Sequence, residues 1–133
     1  EADMEKLPGK KIIFNETIDK LRSGILDISG EVENIISNVI EGNLSSRVDS
    51  EKYSGGWKDI MDGLNNVLKA VNEPISEIEN VMTKMSNGDF SERINGDYKG
   101  DFLNIKDAVN NTLNAVSSYI REVSDILSKV ANN

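Results

Sequence analysis

The chain has 133 residues, enough for one ordinary domain or two small ones, with a net charge of −8, 38% hydrophobic residues and 5% aromatics. That acidic balance argues against nucleic-acid phosphates and anionic lipid as partners, because both need basic patches. Cysteine and histidine are both absent, which removes disulfides, thiolate metal sites, the commonest general base and a phosphoaccepting histidine. Without them no Cys–His or Ser–His pair can form, a Ser–Lys pair has no motif here, and no stretch approaches the roughly 18 apolar residues that cross a bilayer.

Residues 1 to about 11 read as a lead-in with a turn signal at Leu7-Pro8-Gly9, and Asn15 is a candidate N-cap followed by Glu16 in the first turn. The chain opens on Glu1-Ala2-Asp3 without a charged-then-apolar leader, so no secretion signal is expected and the segment reads as a piece of a longer protein. A heptad then runs through Phe14, Ile18, Leu21, Ile25, Ile28, Val32, Ile35 and Val39, the stripe of a helix committed to a coiled coil or bundle. Gly24 and Gly30 are soft points in it, each costing about 1 kcal/mol against alanine. One long helix is expected, with two shorter ones as the alternative.

Gly42 should end this helix. The polar stretch 43–56 carries two apolar anchors, Leu44 and Val48. A second helix is expected from near Trp57, with the stripe Ile60, Leu64, Leu68, Val71, Ile75, Ile78, Met82, Met85. Pro74 sits within it and is expected to mark a kink at a module junction. Gly88 stops this helix, Phe90 and Ile94 anchor a second connector, and a third helix from near Phe102 carries Ile105, Val109, Leu113, Val116, Ile120, Val123, Leu127 and Val130. The last two stripes share a doubled step of four, a stutter that alters supercoiling locally. A helix over 74–85 would be ~18 Å long, while residues 88–100 can reach ~40 Å. The connector can therefore run back along the helix and leave successive helices parallel.

The chain repeats itself. Gly42, Leu44 and Val48 recur as Gly88, Phe90 and Ile94 at a step of 46, and Tyr53, Gly55 and Trp57 recur as Tyr98, Gly100 and Phe102 at a step of 45. One residue is therefore lost inside the connector. An array of one supersecondary unit follows, and each unit alone buries too little surface for comfortable stability. A second copy of the chain is the expected source of the missing core.

Most singled-out residues have a plain explanation. Trp57, Met82 and Met85 belong to apolar stripes, so packing is favoured over a ligand or adaptable binding face. Asp59, Asp62, Asp101 and Asp107 lack calcium-loop spacing and read as a solvated face. Gly55-Gly56 is followed by no lysine–serine/threonine pair in the register of a phosphate loop. For Asn65-Asn66 and Asn110-Asn111, surface or connector hydrogen bonding is favoured over a register-fixing role in the core.

The Gly-x-apolar-x-x-x-apolar connectors, at Gly42/Leu44/Val48 and Gly88/Phe90/Ile94, flanked by amphipathic helices, resemble the HAMP domain in tandem. Pro74 matches the proline that opens the family's first helix, and Asn66 and Asn111 resemble an asparagine in its second. The entry motif Tyr53/Gly55/Trp57 and Tyr98/Gly100/Phe102 looks like the poly-HAMP variant of methyl-accepting chemotaxis receptors. Two departures stand out: Ile28 replaces the first module's proline, and Lys58-Asp59-Ile60-Met61 replaces the Asp-Glu-apolar-Gly opening. The resemblance implies an all-α fold of two consecutive modules, each a parallel four-helix bundle formed in a homodimer and joined by continuous helices. On this reading residues 1–27 are lead-in and input helix, 28–72 and 73–117 the two modules, and 118–133 an output helix or the first helix of a third module. It further implies a cytoplasmic relay between sensor and output domains of a bacterial chemoreceptor, membrane-anchored or soluble, with no cofactor, metal or catalytic residue, no nucleic-acid partner and no direct membrane insertion. A HAMP array of a sensor histidine kinase or cyclase, and a purely structural coiled-coil spacer, are the alternatives.

Overall fold

The computed structural model describes residues 8–133 as three long helices: α1 (Pro8–Ile40), α2 (Gly56–Ser86) and α3 (Asp101–Ala131), with a single 3-10 turn at Ser50–Lys52 in the first connector. No strand occurs among the described residues, so the all-α class holds. The chain packs as two units that divide between Lys69 and Ala70, within α2.

α1 begins earlier than the lead-in reading allowed. α1 is helical from Pro8, the first described residue, and Asn15 lies inside the helix rather than capping it. Residues 1–7 of the expected lead-in lie outside the described residues. Gly24 and Gly30 do not break α1, which is one helix of 33 residues. Gly24 faces Trp57, whose Nε1 lies 3.6 Å from where a β-carbon would stand. α2 runs unbroken from Gly56 to Ser86 with Pro74 inside it and fully buried.

Both glycine stops close in the same way. Gly42 has φ +86° and Gly88 φ +85°, left-handed conformations that cost glycine little. The Asn43 N–H reaches the Asn38 carbonyl at 2.8 Å and the Gly42 N–H reaches Val39 at 3.0 Å; Asp89 to Lys84 and Gly88 to Met85, both 3.0 Å, repeat the pattern. This is the Schellman arrangement, which satisfies carbonyls the helix end leaves open.

The hydrogen bonds set the direction of the helices. Moving forward along the second connector, Glu92 meets Lys84 of α2, and residues 95, 96 and 98 then meet Glu77, about two turns nearer the start of that helix. Against α3 the order also falls, from Ser117 beside Phe90 to Asn110 beside Ile94 and Lys106 beside Gly96. The connector runs antiparallel to both helices, so the second half of α2 and α3 are parallel to each other.

Each unit has a small core. The first is Ile35, Val48, Met61 and Leu68, with Ile28, Val32, Tyr53 and Leu64 packed around it. The second is Val81, Ile94 and Leu113, with Ile78, Met82, Met85, Phe90, Tyr98 and Val109 around it. The sequence stripe of α2 missed Met61 and Val81. Met61 is fully buried whereas Ile60, beside it, is 51% exposed. The reason is geometric: the face that packs on the chain's own connector is offset from the heptad stripe, sharing Leu68 with it while Ile60 and Ile75 stay exposed.

Candidate functional site: the connectors and their clamps

The chemistry of this chain is concentrated where connectors meet helices. Val48 and Ile94 are buried, Leu44 and Phe90 half-buried. Each buried anchor is held by an asparagine that pairs with its backbone on both sides. The Val48 N–H donates to Asn65 Oδ1 and Asn65 Nδ2 donates to the Val48 carbonyl, both at 2.9 Å. In the second unit the Ile94 N–H donates to Asn110 Oδ1 at 2.9 Å and Asn110 Nδ2 donates back at 3.0 Å. A strand-like segment with no sheet partner thus obtains its backbone pairing from a side chain, as buried peptide groups require. The asparagines singled out by resemblance, Asn66 and Asn111, are exposed; their neighbours Asn65 and Asn110 bond the connector.

An arginine folds over each connector. Arg47 Nη1 donates to the carbonyls of Leu44 at 2.9 Å and Ser46 at 2.6 Å, and Arg93 repeats this with Phe90 and Glu92 at 2.7 and 2.6 Å. Arg93 also grips Asn114 Oδ1 of α3 through Nε and Nη2 at 3.0 and 2.8 Å. At the start of α2, Lys58 bridges Glu51 at 2.7 Å and Asp62 at 3.1 Å. The Ser50 hydroxyl and Lys58 hold the Asp62 carboxyl below its ordinary value.

Glu77 was not singled out from the sequence, and it organises the second connector. Its Oε1 accepts the Asn95 N–H at 2.7 Å, the Gly96 N–H is shared between its two oxygens, and its Oε2 accepts the Tyr98 hydroxyl at 2.7 Å. Lys106 Nζ holds the Gly96 carbonyl at 2.9 Å. The tyrosine ring lies directly over Gly96, where any β-carbon would overlap it. Burial works to raise the Glu77 carboxyl, but the bonds from Tyr98, Asn95 and Gly96 and the charge of Lys106 outweigh it, so it sits below the ordinary glutamate value. The bond to Glu77 pushes the Tyr98 phenol up to about 12, with burial adding to it.

The entry motif completes the frame. Gly55 and Gly100 turn the chain at φ +57° and +59° just before α2 and α3. Trp57 and Phe102 are half-buried, and Phe102 meets Tyr98 at 6.4 Å between ring centres. Among the described residues no group of histidine, cysteine, aspartate or glutamate is arranged to hold a metal ion, and no helix is long and apolar enough to cross a membrane.

Two family models match the chain. One, described as HAMP domain, matches residues 52–118, just over half of the chain. It takes in the Glu77–Tyr98 contact and the Asn110 clamp. The other, described as HAMP N-terminal domain 3, matches residues 1–26, the part read from sequence as lead-in and input helix.

Proposed function

Because the chain belongs to the HAMP family, whose domains are non-catalytic signal-relay linkers of sensor proteins, we propose that it relays conformational change as a parallel homodimer between the sensor and output domains of a bacterial chemoreceptor. One observation carries this reading: the chain's own fold covers the heptad stripes predicted from sequence only in part, burying Ile35, Leu68 and Leu113 and leaving others exposed. Phe14, Ile18, Leu21 and Ile25 of α1, Ile60 and Ile75 of α2 and Ile105 of α3 are exposed, each on the stripe of its helix. Apolar stripes of this period are closed by another helix of the same kind, and a second copy supplies it with every a/d residue facing its own twin. Beyond Ser117 the stripe of α3 continues through Ile120, Val123, Leu127 and Val130, all exposed; these residues fit the first helix of a further module. A sensor-kinase or cyclase array and a passive spacer use the same stripe. The stutters and the clamped connectors favour a relay, since a spacer needs neither.

The absence of cysteine gives a clean test. Ile75→Cys and Ile105→Cys, introduced singly, should each cross-link to the same residue of a partner, and sedimentation equilibrium should give twice the 14.7 kDa chain mass. A monomer with full helicity would overturn the dimer. A chimera with a ligand-gated sensor before the array and a cyclase after it should show ligand-dependent output, whereas constant output would mean a spacer. In the parent protein, a methylated hairpin downstream marks a chemoreceptor and a histidine-bearing helix marks a kinase.

A further inference from the structure

The repeat puts Glu31 in the place of Glu77 and Tyr53 in the place of Tyr98, at steps of 46 and 45. The two pairs are nevertheless in different states. In the second unit Tyr98 and two backbone amides converge on Glu77. In the first, among the described residues, Glu31 accepts no hydrogen bond. Glu31 and Tyr53 instead line an open groove of about 580 Å³ that Asp27, Gly30 and Lys52 also border.

Three local differences keep the first pair apart. The additional residue of the first connector is wound into the 3-10 turn Ser50–Lys52. Ser50 stands in the place of Gly96, the position over which the second tyrosine ring lies and where no side chain fits. Met61, wholly buried, stands in the place of Lys106, whose ammonium ties down the Gly96 carbonyl. Burial, together with the charges of Glu31, Asp27 and Asp49, raises the Tyr53 phenol, so its proton stays available for a carboxylate once the connector approaches α1.

We propose that the glutamate–tyrosine pair is a latch between each connector and the helix before it, closed in the second module and open in the first, so that the first connector moves while the second is held. The open and closed states stand on this geometry alone; only their use in signalling rests on the relay reading above. A carboxylate gathering three donors is a strong fastening, because hydrogen bonds to an ionised acceptor exceed neutral ones. Its first-module counterpart has the same two side chains and lacks the glycine, the lysine and the loop length that bring them together.

Amide hydrogen exchange on the whole chain tests this. Asn95 and Gly96 should exchange roughly tenfold to a hundredfold more slowly than Asp49 and Ser50, the span expected for bonds to a charged acceptor. Glu77→Gln should bring Asn95 and Gly96 toward the first-module rates, and Tyr98→Phe, which keeps the ring, should do so in part. Ser50→Gly combined with removal of Lys52 should slow exchange at residues 49 and 50. Equal protection of the two connectors in the native chain overturns the latch, as do unchanged Asn95 and Gly96 rates in both the Glu77→Gln and Tyr98→Phe variants. Loss of ligand-dependent output in the chimera with the exchange contrast intact overturns the relay and leaves the latch standing.

Discussion

Replacing Asn110 by alanine removes a two-way pairing from the most deeply buried residue of the second connector. Ile94 is 1% exposed, so neither its N–H nor its carbonyl can turn to water when the side-chain amide is lost. Each group left without a partner costs about 1–3 kcal/mol; allowing partial relaxation, the pair should cost about 2–4 kcal/mol. The control is Asn111→Ala, one residue along the same helix and exposed, which gains the same helix propensity and loses nothing buried, so it should lie within about 0.5 kcal/mol of the parent. Urea denaturation at fixed chain concentration measures both, with concentration held because association adds to apparent stability. Asn110→Asp sharpens the test. It keeps an acceptor for the Ile94 N–H but sets a carboxylate oxygen against the Ile94 carbonyl, so near neutral pH it should be at least as damaging as alanine. Protonation restores a donor; the introduced carboxyl should therefore have a raised folded pKa, and stability should recover as pH falls through it. If Asn110→Ala and Asn111→Ala unfold at the same urea concentration, the clamp does not fasten the connector and the reasoning fails.

Two further outcomes follow from burial and charge. Ile94→Ala should cost about 2–5 kcal/mol as a fully buried truncation, whereas half-buried Phe90→Ala should cost about 1–2 kcal/mol, less than the same change in a closed core; the reverse order in urea midpoints would show that Phe90 is the true anchor. The depressed Glu77 carboxyl should contribute stability that is complete above the ordinary glutamate value of about 4.3 and lost as pH falls through its lower folded value. The urea midpoint of Glu77→Gln should thus depend less on pH across acid solution than that of the parent, and identical slopes would refute the assignment. Asp62 and Asp89, also held low, supply the part of the slope that remains.

How much of this was legible in advance depended on the range of each interaction. The glycine stops and the helix starts near Trp57 and Phe102 are written in local chemistry, a left-handed residue or a turn, and the structure has them where the sequence puts them. Connector or surface hydrogen bonding was readable for the pairs Asn65-Asn66 and Asn110-Asn111, but not which member makes it, because adjacent positions on a helix differ by ~100° and only the partner decides which one faces the connector. Met61 and Val81 escaped for a related reason: each helix carries two apolar faces, one toward its own connector and one along the heptad, and a single periodicity search finds the longer. Glu77 could not be found by pattern at all. Its partners lie 18 to 21 residues away, and an acidic residue on an amphipathic helix looks the same whether it is solvated or gathers three donors. Aligning the two repeats and asking which polar residues recur, as Glu31 and Glu77 do, was the available signal.

The odd residue of the first connector has a consequence for how such arrays can change by insertion and deletion. One residue added within α1, α2 or α3 would turn everything after it by ~100° about the helix axis and carry the apolar stripe to the wrong side. One residue added after Val48 is absorbed by a single turn, Ser50–Lys52, and α2 still begins on the same glycine-aromatic entry. Closing a loop longer by one residue costs only a small fraction of a kcal/mol. Connectors are thus the places where copies of the unit can drift in length while the helices stay in phase, and for a protein engineer they are the positions at which a tag or a spectroscopic label can be inserted without rotating the helix that follows.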